Sequence, residues 1–105
     1  MPDNVIVSYT LHRGRPPSGS DYEAVAQAIR SIDPSATKVL DTVWHLLSDW
    51  PILHMQEYLL ERLEADDELL IVNTVLNTFK GRLEDDVWAD LERRWRRSDP
   101  LYDPM

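Results

Sequence analysis

Val5, Val7, Tyr9 and Leu11 alternate with Ile6, Ser8 and Thr10. A period of two, rich in β-branched residues, predicts a strand at the head of the chain. From His12 to Ser20, Gly14, Gly19, Pro16 and Pro17 stand among polar residues and predict a loop. Tyr22, Val25, Ala26, Ile29 and Ile32 then recur at helical spacing behind Ser20 or Asp21, either of which can cap a helix. Asp33-Pro34-Ser35 ends that helix. Thr37 to Leu40 and Val43 to Leu47 predict two short strands around an Asp41-Thr42 turn, although that turn lacks the glycine a two-residue hairpin favours. One long bent strand is the competing reading.

Ser48-Asp49-Trp50-Pro51 predicts a helix start, with a capping side chain followed by proline in the first turn. Ile52, Met55, Leu59 and Leu63 form the inward stripe of this second helix. Glu68 to Leu76 begins with apolar residues on both faces, as a central strand covered on both sides requires. Asn77 to Gly81 reads as a turn. Leu83, Val87, Trp88, Leu91 and Trp95 stripe a third helix, whose N-terminal acids and C-terminal arginines suit its dipole. The order β-α-β-β-α-β-α predicts the α+β class: a ferredoxin-like βαββαβ sandwich with an additional C-terminal helix. Residues 1–97 make one domain and 98–105 an irregular tail. Two helices cover one face of such a sheet. Ile6 and the two-faced fourth strand call for a second cover, from the third helix or from a partner subunit, most simply in a two-fold dimer.

A chain of 105 residues has room for one domain. It has no cysteine, which excludes disulfides, thiolate metal sites and cysteine nucleophiles. No run approaches the ~20 apolar residues that span a bilayer, and Met1-Pro2-Asp3-Asn4 lacks a basic leader. The expectation is a cytoplasmic protein with no membrane contact. The net charge of −8 argues against nucleic-acid binding on average. Its distribution is uneven, however. Acid gathers at Glu61, Glu64, Asp66, Asp67 and Glu68 and again at Glu84, Asp85 and Asp86, while Arg93, Arg94, Arg96 and Arg97 gather at the other end of the last helix.

Four segments together resemble a known superfamily. They are Val5-Ile6-Val7-Ser8-Tyr9, Asp21-Tyr22-Glu23, Asp41-Thr42-Val43-Trp44-His45-Leu46-Leu47 and Asp67-Glu68-Leu69-Leu70-Ile71-Val72. The chain is similar over about residues 4 to 90 to the ferredoxin-like superfamily of the second CRISPR-associated protein (Cas-two) and the virulence-associated protein D ribonucleases, and most to its SinR-like stand-alone members. These are strand and cap patterns, and they specify fold better than function. The resemblance implies a homodimer and, at the end of the first strand, an aspartate from each subunit associated with metal-dependent phosphodiester cleavage. A carboxylate there can hold Mg²⁺ while the metal polarises the phosphate. In this chain the matching position is Thr10, a poor sole ligand for a hard cation. The family's non-catalytic, DNA-scaffolding roles do not need the aspartate.

Of the remaining candidates, His12, Arg13 and Arg15 follow the first strand, where two cations can cradle a phosphate and an imidazole can shuttle a proton. A solvated, proline-stiffened loop explains the same residues. His12, Asp41 and Asp49 are the weak catalytic candidates. Arg13, Arg15, Trp50, Arg93, Arg94, Arg96 and Arg97 are the candidate contacts to nucleic acid or a partner. For the last four, dipole complementation is the competing explanation. His12, His45 and His54 show no ligand spacing, so no metal or other cofactor is expected, with Mg²⁺ entering only for a nuclease. The sequence therefore points to a non-catalytic homodimeric binding or scaffolding module in a mobile-element, toxin–antitoxin or phage-defence setting. The alternatives are a metal-dependent endoribonuclease and an acidic inhibitor that mimics nucleic acid.

Overall fold

A computed structural model describes residues 2–12, 14–74 and 78–98, without the side chains of 78, 79 and 95–98. Its elements, in chain order, are β1 (Asp3–Thr10), α1 (Gly19–Ile32), β2 (Thr37–Leu40), β3 (Val43–Ser48), α2 (Ile52–Leu60), β4 (Glu68–Asn73), β5 (Thr78–Arg82) and α3 (Asp85–Ser98). The strands form one five-stranded sheet in the order β2-β3-β1-β4-β5. Each neighbouring pair is antiparallel. The class is α+β, and this sheet is compatible with a ferredoxin-like plan.

Alternation along the strands decides the layers. Val5, Val7 and Tyr9 of β1, Trp44 and Leu46 of β3, and Leu69 and Ile71 of β4 are buried in one cluster with Val25, Ala28 and Ile29 of α1 and Met55 and Leu59 of α2. Full burial of a side chain of this size contributes about 1.5–3 kcal/mol, so this layer carries the domain. α1 begins with a capping box: the Ser18 side chain accepts from the Asp21 N–H, and the Asp21 carboxylate accepts from the Ser18 N–H. It ends at Asp33, whose N–H still reaches the Ile29 carbonyl.

Several expectations need correction. The segment read as the turn Asn77 to Gly81 holds the fifth strand, β5, which extends the sheet beyond β4. β4 ends at Asn73, not Leu76; residues 75–77 lie outside the described residues. α2 starts at Ile52 behind Pro51, with no side-chain cap, because Ser48 closes β3 and accepts from the Trp50 N–H at 3.0 Å. On α3, Val87 is exposed, Trp88 and Leu91 are half-buried, and the Trp95 side chain lies outside the described residues. The helix runs through Ser98, the first residue expected in the tail; 99–105 lie outside the described residues.

Among the described residues, the backbone of α3 does not approach a strand as those of α1 and α2 do. The sheet's other face presents Ile6 and Ser8 of β1, Val43, His45 and Leu47 of β3, and Leu70 and Val72 of β4, all half-buried or exposed. No helix of the described residues is long and apolar enough to cross a membrane.

Candidate functional site

The end of β1 is where the chain concentrates polar chemistry. Asp67 lies in the turn before β4 and is almost fully buried. Its carboxylate accepts the His12 N–H at 2.6 Å through Oδ1 and the Glu64 N–H at 2.8 Å through Oδ2. Arg82, at the end of β5, braces the same turn: Nε donates to the Asp67 carbonyl at 3.1 Å, and an Nη donates to the Asp67 and Glu64 carbonyls at 3.0 and 2.7 Å. Three segments distant in sequence are thus tied together by one buried acid and one guanidinium.

On this frame the His12 ring meets Glu68, with Nε2 to Oε1 at 2.6 Å. His12 is 51% exposed and Glu68 26%. The pair opens on a cleft of about 410 Å³ that Asp66, Arg82 and Glu84 also line. Thr10 and Glu68 are cross-strand partners in the β1–β4 register and so share a face of the sheet. Glu68 therefore stands directly across from Thr10. In the sequence 56 residues separate His12 from Glu68, and it is the β1–β4 pairing that brings them together.

The other candidates do not converge here. Asp41 lies in the β2–β3 turn and lines a separate cleft of about 350 Å³ with Tyr22, Lys38 and Thr42. Asp49 follows β3 at the opposite end of the sheet, since Ser48 pairs with Asp3 whereas Val43 pairs with Ser8. Arg15 is bound to Asp21 by two bonds of 2.7 and 3.2 Å. That guanidinium, with the Ser18 N–H behind it, holds the Asp21 carboxyl well below the usual carboxylate range. Arg93 and Arg94 both bond Asp90, Arg94 through Nε at 2.9 Å, and they lower its pKa, Arg93 most. Arg13 and the side chains of Arg96 and Arg97 lie outside the described residues.

Trp50 is half-buried, its ring 4.8 Å from His54 and 5.3 Å from Tyr58 between centroids, so its faces are partly spent within the chain. His45 Nε2 lies 2.8 Å from Asn4 Oδ1 on the open sheet face, and His54 is exposed on α2. The first acidic cluster is not a uniform charged surface, because Asp67 is buried as a clamp and Glu68 is engaged by His12.

As to what this site can hold, one carboxylate and one imidazole already bonded to each other are too few to retain Mg²⁺ from this chain alone. No third His, Cys, Asp or Glu joins them into a metal-holding group among the described residues. The set does not fit the metal that the resemblance implies. Comparison with known protein families, with curated proteins and with solved structures gives no match.

Proposed function

We propose that the chain is a ferredoxin-like binding module that works as a homodimer and catalyses no reaction, related to the Cas-two and virulence-associated protein D superfamily. The four strands β2-β3-β1-β4, with α1 and α2 on one face, support the ferredoxin-like assignment. One observation carries the functional reading: the second face of the sheet is largely apolar, and among the described residues no helix approaches it as α1 and α2 approach the first. Ile6, Val43, Leu47, Leu70 and Val72 lie on it, with Glu68 at its margin. A second copy meeting the same patch buries it isologously.

The described arginines favour a protein as the further partner over nucleic acid. Arg15, Arg93 and Arg94 each answer a carboxylate of their own chain, so a phosphate would have to compete for them. Light scattering at micromolar concentration tests the assembly. The expected mass is twice 12.2 kDa, and Leu70→Lys reduces it to the single-chain value without unfolding. A native protein that runs as a 12.2 kDa species overturns the reading. RNA or DNA binding at low salt that Arg94→Gln weakens moves the partner to nucleic acid.

The nuclease alternative has one observation in its favour, the Glu68 carboxylate opposite Thr10 with His12 bonded to it. It supplies a base and its orienting acid, in a cleft whose other acids repel a phosphate.

A further inference from the structure

The cleft of about 350 Å³ beside β2 joins side chains from two separate parts of the chain. Tyr22 comes from the head of α1, Lys38 from β2, and Asp41 and Thr42 from the turn after β2. One cation and one anion thus line it, whereas acids predominate in the His12 cleft. Elsewhere Arg15, Arg30, Arg62, Arg93 and Arg94 each meet a carboxylate of their own chain. Lys38 and Asp41 stand apart from that pattern. Among the described residues, neither side chain makes an ion pair or a hydrogen bond, with the other or with any neighbour.

The cleft also adjoins aromatic residues. Tyr22 is 37% exposed, which leaves ring surface open to a ligand. The buried Tyr9 hydroxyl lies close to both Tyr22 and Trp44. Trp44 is the cross-strand partner of Lys38, and its buried indole N–H has no acceptor among the described residues. Lys38 therefore shares the sheet face that α1 and α2 cover, so the cleft is separate from the face assigned to the dimer.

These features restrict the ligand. A lone anion satisfies Lys38 but is repelled by Asp41, and a lone cation meets the reverse. A zwitterion answers both, and an aromatic ring beside Tyr22 fills the rest of a cleft this small. The competitor is a direct Lys38–Asp41 ion pair, and exposed pairs of that kind are worth little. We propose that the cleft binds a free aromatic α-amino acid. Lys38 takes its carboxylate, Asp41 takes its ammonium, and the Tyr22 ring packs against its side chain.

Amide chemical-shift mapping with L-phenylalanine at up to about 20 mM tests this. Saturable shifts are expected at Tyr22 and from Lys38 to Thr42. The dissociation constant should be on the order of 1 mM, as suits a ligand of about a dozen non-hydrogen atoms. N-acetyl-L-phenylalanine lacks the ammonium and L-phenylalanine amide lacks the carboxylate, and each should bind roughly tenfold more weakly. Lys38→Gln weakens phenylalanine to the level of the amide but leaves the amide unchanged. Asp41→Asn does the same with respect to the N-acetyl compound. Lys80→Gln, at an exposed lysine of β5, leaves all three unchanged. The inference is overturned by absence of these shifts, by equal binding of the blocked compounds, or by a loss in Lys80→Gln matching that in Lys38→Gln.

Discussion

At the scale of single residues, two aspartates hold the connections that the strands leave open. Replacing Asp67 by Ala leaves the N–H groups of His12 and Glu64 without their acceptor inside the protein. The expected loss is about 3 kcal/mol in urea unfolding, with Asp67→Asn intermediate because it keeps one acceptor oxygen. Asp33 plays the matching role after α1. Its carboxylate accepts the Leu47 N–H at 2.9 Å and the Ser35 N–H and hydroxyl at 2.9 and 2.7 Å. The Leu47 bond, with Ser35 behind it, lowers the Asp33 pKa. A carboxylate depressed in the folded state contributes stability above its unfolded pKa of about 3.9 and loses it as pH falls through the lower folded value. Stability measured from pH 6 down to pH 2 is therefore expected to fall below about pH 4, and more steeply in the native protein than in Asp33→Asn. The helix-ending role of Asp33 was legible from Asp33-Pro34-Ser35 alone. The reach to Leu47 was not, because it depends on how α1 and β3 pack.

Among the elements, those with a strong period of their own were the legible ones: the alternation of β1 and the apolar stripe of α1 need no partner to be read. β2 and β3 were also placed, with the turn between them as expected. β5 was missed for a physical reason. Thr78 to Arg82 has no alternation that survives Lys80 and Gly81, and a glycine four residues after Asn77 reads as a turn when no neighbour is in view. In the sheet the glycine is required by close approach. Gly81 has φ 153°, and a Cβ there would fall 2.0 Å from the Leu69 carbonyl oxygen. Gly81→Ala must therefore push β5 off β4 or rotate the backbone. An expected destabilisation of roughly 3 kcal/mol or more, with amide exchange rising first along Leu69 to Asn73, distinguishes this strand from a turn, where alanine costs little. The site was half legible for the same reason. His12 stood out by its place after β1, while Glu68 looked like one more acid until β4 was paired with β1.

For the whole molecule, the question is whether one base, one orienting acid and one cleft amount to an enzyme. Phosphodiester cleavage needs the attacking oxygen deprotonated, the leaving oxygen protonated, and the charge on phosphorus answered by a cation. His12 and Glu68 at 2.6 Å form a single acid–base unit, not two groups on opposite sides of a substrate. Arg82 lines the cleft, but its Nε and one Nη are held by backbone carbonyls, and Asp66 and Glu84 beside it oppose a phosphate. Thr10 supplies no charge. The expectation is that the pure protein cleaves neither RNA nor DNA with Mg²⁺ or Mn²⁺, assayed on labelled single-stranded substrates over hours. Cleavage lost in both His12→Ala and Glu68→Gln, with the folded mass unchanged, overturns this and makes the pair the active site. Cleavage that survives both changes but is lost in Asp41→Asn moves the chemistry to the cleft beside β2. Asp49→Asn is the internal control, because Asp49 sits at the far end of the sheet from Thr10 and cannot share a substrate atom with His12.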